Sequence, residues 1–360
     1  MKVYVVAEVA KQFYYYPVDR LVKNGELESW ELWSFRTFRP LIKNLSLKII
    51  RILKTDFAKD REIEPLTVKD FFSRLILPVR MLFWDNIVFG MEPFDVKVIF
   101  PLFLKLLGKN IVEWTSWPYW QGNFQPRSGF PGSRILWKLF LKDLKVIGVT
   151  PAVVESVKKF QPTTRAVRIP HSVDLEKFFP QKDKQSKRPK IVTITQLYPE
   201  KGISQIIELA RRIPEADFEI ISRGGTAEKE VRAAEKELKN FKWVDDQGRE
   251  KKIREADIFI LASYRIKRWE ELFGMAIIEA MASGLPVVVT DQIGPRDIVE
   301  DEKTGFIVPQ KDVNAMERRI RELLANGEMR SEMGRAGRET AEKRYNIENL
   351  SKDWLKVLQK

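Results

Sequence analysis

The chain has 360 residues, 44% of them hydrophobic, enough to bury two ordinary cores and so to form a crevice between two lobes. It contains no cysteine, which excludes disulfides, thiolate metal sites and a cysteine nucleophile. No run of about 18 uncharged apolar residues occurs and no signal-type cleavage site follows MKVYVVAEVAKQ, so a cytoplasmic protein without a membrane-spanning helix is expected.

Taken in chain order, a strand is expected at residues 3–7, followed by the aromatic run of which Tyr14 is part, and a second strand at 27–33. Residues 38–57 (FRPLIKNLSLKIIRILKTDF) read as a basic amphipathic helix carrying Lys43, Lys48, Arg51 and Lys54. Residues 71–84 add apolar weight with Arg74 and Arg80. Such helices suit either an anionic membrane surface or a sheet face with basic outer residues. Strands follow at 111–114 and 146–149. The intervening WTSWPYWQGNFQPRSGF (114–130) is too rich in Gly and Pro for regular structure and reads as a loop whose aromatic faces can stack on sugar rings.

The charged run at 181–189 cannot pack a core. It sets the expected domains: 1–175, a linker at 176–190, 191–343, and a C-terminal helix at 344–360 that returns to the first domain. In the second half, strands are expected at 190–195, 218–222, 257–262 and 286–290, and helices at 202–212, 227–240, 248–256 and 274–282. This alternation gives an α/β class with doubly wound parallel sheets.

The net charge of +13 is uneven. Residues 1–190 hold 33 Lys+Arg against 19 Asp+Glu, and residues 191–360 hold 30 against 31. Of the 40 aromatic residues, 29 lie in the first half. A basic, aromatic lobe suits an anionic membrane surface or an acceptor with phosphate and sugar faces. No nucleic-acid-binding signature accompanies the charge.

Chemistry concentrates in the second half. Glu271 stands just before Phe273 and Gly274, and Glu279 lies inside the helix that Gly274 begins. Unpaired N–H groups and the positive dipole end at Gly274 and Met275 suit a departing phosphate, while Glu279 can accept from a diol such as ribose. A second strand-to-helix junction places Lys201 and Gly202 after QLYPE, with a mobile charge and backbone donors for a diphosphate.

These segments, LYPEKG (197–202), ELFGMAIIEAMASGLPVV (271–288), KTGFIVP (303–309) and IPHSVD (169–174), resemble the donor lobe of retaining glycosyltransferases of family four, over about 192–345. The resemblance implies a GT-B fold of two Rossmann-like domains facing a cleft. It also implies a nucleotide sugar as co-substrate, with no other cofactor and no metal. Glu271 would contact the donor sugar, Glu279 the ribose and Lys201 the diphosphate. Lysine, arginine and helix dipoles would replace a cation at the leaving group, with front-face attack and a retained anomeric configuration.

The sequence departs from that pattern at three places. Gln196 occupies the position of a clamp arginine; Arg223, or Arg265, Lys267 or Arg268, are the candidates to replace it. The glycine loop after the first strand is missing, and Thr115 or Ser116 stands where a histidine is expected. His171, the only histidine, reads as structural. Tyr14, Thr115, Ser116 and Trp117 are the acceptor-side candidates, for a glycan or lipid-linked acceptor. A non-catalytic glycan- or membrane-binding scaffold and a nucleotide-sugar epimerase remain as alternatives.

Overall fold

The chain forms two six-stranded sheets, and runs of β-branched residues such as KIVTI and VVVT form inner strands of the second, where burial on both faces is what a continuous apolar run demands. The computed structural model describes residues 1–8, 12–34, 76–121, 132–181, 188–267 and 269–359. The chain divides into two compact units: residues 1–148, 154–167 and 353–360, and residues 149–153 with 168–352. The amphipathic stretch at 38–57, residues 122–130 of the aromatic loop, Lys11 and Arg268 lie outside the described residues.

The first unit holds β1 (Lys2–Ala7), β2 (Ser29–Ser34), β3 (Asn86–Gly90), β4 (Asn110–Thr115), β5 (Lys145–Gly148) and β6 (Arg165–Arg168), ordered β2-β1-β3-β4-β5-β6. The pairs from β2 through β5 are parallel, with Val5 opposite Leu32 and Val88, and Val112 opposite Val88. Helices α1 (Tyr16–Lys23), α2 (Ile99–Leu106), α3 (Ser133–Leu141) and α4 (Pro151–Phe160) connect them. Strands β3 and β6 were not expected from the sequence. NIVFG and RAVR are too short to show a period. Within 71–84 the described helix covers residues 76–81, and Trp84 leaves it to stack on Tyr4 at 4.1 Å.

Trp120, part of the expected sugar-stacking loop, belongs instead to the core. It is fully buried, with its ring 5.5 Å from Trp137 and 5.6 Å from Phe160. Burying so large an aromatic surface against other rings outweighs what it would gain as a solvent-facing platform.

The second unit holds β7 (Lys190–Ile194), β8 (Asp217–Ile221), β9 (Phe241–Val244), β10 (Ile258–Leu261), β11 (Val287–Thr290) and β12 (Gly305–Val308), parallel throughout and ordered β12-β11-β10-β7-β8-β9. Its helices are α5 (Ile203–Arg212), α6 (Glu228–Glu237), α7 (Arg249–Arg254), α8 (Met275–Ala282), α9 (Ile293–Ile298), α10 (Val313–Ala325) and α11 (Gly327–Arg344); α12 (Ile347–Leu358) follows. The helix expected at 227–240 stops at Glu237, and the following residues become β9. The segment 303–309 carries a single strand parallel to β11; Glu302, at φ 62°, makes the bend before it.

In this strand order the winding reverses between β7 and β10. Ligands of open parallel sheets bind at such a reversal, outside the carboxyl ends of the strands. Ile191, Ile206, Phe218, Ile260 and Val288 fill the core beneath it. Among the described residues no helix is long and apolar enough to cross a membrane.

Candidate active site

The loop leaving β7 is tied to its neighbours by backbone bonds. Leu197 N–H donates to Gly224 O at 3.1 Å, Ala227 N–H to Leu197 O at 2.8 Å and Tyr264 N–H to Glu200 O at 2.9 Å. The loops after β7, β8 and β10 therefore form one edge. Gly202 caps α5 at φ 77°, and a Cβ there would lie 2.2 Å from the carbonyl oxygen of Ala262, so only glycine lets these two loops touch.

This packing brings Lys201 to Glu271. Nζ lies 2.8 Å from Oε2, both side chains are more than four-fifths buried, and the ammonium also sits 4.2 Å over the Trp269 ring. Gln292 accepts from the Glu271 N–H at 2.9 Å and donates to Ser263 O at 2.7 Å, which fixes the Glu271 loop on the end of β10. Gly294 N–H donates to Glu271 O.

Phe273 is buried, edge-on to His171 at 4.7 Å and to Tyr345 at 6.1 Å. Burial pushes His171 down to about 3, so its ring stays neutral near pH 7, as suits a packing role. Gly274 caps α8 at φ 110° with no side chain bonded to the first turn, leaving Met275 and its neighbours as N–H donors.

Glu279 lies within α8 and is 2% exposed. Burial pushes its carboxyl up to about 7, against the pull of Arg249, whose Nη2 is 2.5 Å from Oε1. Arg249 also lies 3.7 Å from Asp246, to which Arg223 Nε donates at 2.7 Å. Arg223, Asp246, Arg249 and Glu279 thus form one chain of alternating charge, with the Arg223 side chain 83% exposed at its outer end. Gln196 stands at the carboxyl end of β7, and its carbonyl accepts from Tyr198 N–H. Arg265 lies 3.5 Å from Glu270. Arg249, Asp246, Trp269 and Gln292 are not singled out by motif spacing. The one local signal is Gly248, left-handed at φ 63°, which starts α7 and aims Arg249.

In the first unit, Tyr14 stacks on Trp114 at 5.6 Å, one residue before Thr115. The Thr115 hydroxyl accepts from Trp117 N–H at 3.1 Å, so Thr115, Ser116 and Trp117 form one tight turn at the end of β4. Close by in the strand, Glu113 is wholly buried and pushed well above the usual carboxylate range by desolvation; its Oε1 accepts from Met91 N–H.

A cavity of about 420 Å³ opens elsewhere in the second unit, against Gly284, Pro286, Arg330 and Arg338, at the amino ends of the strands. Arg330 donates to the carbonyls of Leu323 and Leu324, and Arg338 to those of Phe178 and Ala282. These arginines are engaged in capping backbone rather than facing a ligand.

Residues 174–340 match the family model of glycosyl transferases group 1. That segment is similar to the domains of group 1 glycosyltransferases. Over 202 residues the chain is 28% identical to a GDP-mannose-dependent alpha-(1-6)-phosphatidylinositol monomannoside mannosyltransferase of Mycolicibacterium smegmatis, covering 51% of this chain and 53% of that one. Over 85 residues it is 35% identical to a poly(ribitol-phosphate) alpha-N-acetylglucosaminyltransferase of Staphylococcus aureus, covering 23% of this chain and 17% of that one. The chain therefore spans at most about half the length of these two relatives. The solved structure of HepE from Anabaena with UDP superposes with a TM-score of 0.73 over 99% of both chains at 14% identity. At that identity the likeness is one of fold, and the fold is GT-B.

Proposed function

We propose that the chain transfers a sugar from a nucleoside diphosphate sugar to a hydroxyl of a glycan or lipid-linked acceptor, without a metal and with retention at the anomeric carbon. The observation that carries this reading is the meeting of Lys201 with Glu271 at the winding reversal of a group 1 domain. Lys201, the first turn of α8 and Arg223 in place of the clamp missing at Gln196 receive the diphosphate. Glu271 bonds the donor sugar and Glu279 the ribose. The acceptor oxygen bonds to the anomeric carbon on the face the diphosphate leaves; the broken C–O bond leaves its electrons on the phosphate oxygen, and the hydroxyl proton departs with it. Positive charge and helix dipole aimed at the leaving oxygen are the main source of rate.

Tyr14 and the Thr115–Trp117 turn take the acceptor. UDP held by HepE and the lipid- and polymer-directed names of the relatives support this class of substrates. We place the reaction on the cytoplasmic side, at the membrane where a lipid-linked acceptor would be met. Incubation with a panel of UDP- and GDP-sugars, followed by analysis of released nucleotide, is expected to reveal one donor that is consumed. Binding of neither UDP nor GDP by calorimetry would favour a non-catalytic scaffold.

A further inference from the structure

Residues 96–109 and 133–142 hold six Lys and Arg (Lys97, Lys105, Lys109, Arg134, Lys138, Lys142) and no Asp or Glu. Along α3 the exposed cations Arg134, Lys138 and Lys142 recur every four residues. Beside them runs a second exposed row, Ile135 at 67% and Leu139. Helix α2 shows a matching apolar row in Ile99, Phe103 and Leu106, the last at 78% exposure.

The two helices are clamped at their ends. Lys105 Nζ, in the last turn of α2, donates to the carbonyl of Phe140 at 2.8 Å in the last turn of α3. Asn110 N–H, four residues past α2, donates to Asp85 O at 2.8 Å, and Phe83, two residues before Asp85, is exposed. The two clamped helices thus each present an exposed apolar row, with cations beside the row on α3. Exposed apolar side chains gathered in rows, and not scattered singly, mark an interaction surface.

We propose that this α2–α3 face docks on an anionic lipid surface. Aliphatic and aromatic side chains enter the headgroup boundary while Arg134, Lys138 and Lys142 meet lipid phosphates. Lys97 is paired with Glu8 and Asp95, and Lys109 with Asp85. No carboxylate lies within either helix to pair with Lys138 and Lys142, which favours a phosphate-bearing bilayer over a protein partner, whose interface would have to supply acidic residues to match. The inference does not rest on the donor chemistry proposed above.

The test is co-sedimentation of the full chain with vesicles of phosphatidylcholine alone and of phosphatidylcholine with phosphatidylglycerol. Wild type is expected to sediment with the anionic vesicles, less so as salt is raised, and to stay in solution with the neutral ones. The double variant Leu106→Asp/Ile135→Asp is expected to bind the anionic vesicles at least about tenfold more weakly, with unchanged circular dichroism and melting temperature, because both side chains face solvent. Lys142→Gln, which keeps the apolar rows intact, should weaken binding by about fivefold, the worth of one surface charge. Equal binding by wild type and double variant overturns the proposal. So does a wild type that ignores anionic vesicles, or a dimer in light scattering that the double variant converts to monomer. None of these outcomes touches donor consumption.

Discussion

Lys201 Nζ and Glu271 Oε2 face each other at 2.8 Å, in an ion pair that is more than four-fifths buried and backed by the Trp269 ring. An incoming diphosphate must draw the ammonium away from that carboxylate. Removing the negative charge alone, by Glu271→Gln, is therefore expected to leave UDP or GDP binding as tight as wild type or up to about tenfold tighter, while transfer falls about 100-fold or more. Lys201→Ala should weaken binding about tenfold. Calorimetry alongside turnover separates the two effects, and weaker nucleotide binding by Glu271→Gln would sink the assignment.

Glu279 provides a pH test. Burial raises its carboxyl to about 7, so it is protonated in the folded chain where an ordinary glutamate is ionised. As an acceptor for a diol it is needed as the carboxylate. Nucleotide affinity should then fall as pH drops below about 7, approaching a tenfold loss per unit. Stability runs the other way. A raised carboxyl contributes stability that is complete below the unfolded value of 4.5 and lost as pH rises to about 7, a change of about 3 kcal/mol at 1.36 kcal/mol per unit. Glu279→Gln should flatten both profiles, and a wild-type affinity that is constant across pH 7 would exclude Glu279 from the ribose.

The doubly wound folds and the positions of Lys201, Gly202, Glu271, Gly274 and Glu279 are legible in the sequence because each sits at a junction marked by glycine or by a change from strand to helical period. Arg249 is not. It meets Glu279 across thirty positions of chain, and that meeting depends on how the loop after β9 lands on α8. Trp120 is misread for a related reason: a tryptophan among Gly and Pro looks like a loop residue until Trp137 and Phe160 are seen closing over it. Local spacing records local structure, whereas tertiary partners leave no period.

Gly202 is expected to tolerate no side chain. At φ 77°, with the Ala262 carbonyl 2.2 Å from the position of an added Cβ, Gly202→Ala must both strain the backbone and part the loops after β7 and β10. A loss of about 2–4 kcal/mol is expected by chemical denaturation, with nucleotide binding weakened as Lys201 moves. A variant as stable as wild type would mean that these loops part at little cost.

Arg223 stands at the exposed end of the charge chain, so Arg223→Ala should cost less than about 1 kcal/mol of stability. If it replaces the clamp absent at Gln196, UDP or GDP affinity should nonetheless drop about tenfold, with binding of uridine or guanosine, which lack the diphosphate, unaffected. Unchanged affinity for UDP and GDP would hand that role to another cation.

Arg249→Ala acts on the inner end of the same chain, and its effect should depend on pH. Without the guanidinium 2.5 Å from Oε1, the Glu279 carboxyl rises further above about 7. Below that value the carboxyl is protonated in both proteins, so the variant loses only packing and a hydrogen bond, about 1 kcal/mol. Above it the wild type has already ionised, while the variant must keep its proton or bury an unpaired charge. The stability gap should therefore widen by about 1.4 kcal/mol per unit of pH until the variant's own carboxyl ionises. Denaturation at pH values on either side of 7 measures the slope, and a gap that stays constant would show that Arg249 does not hold the charge of Glu279.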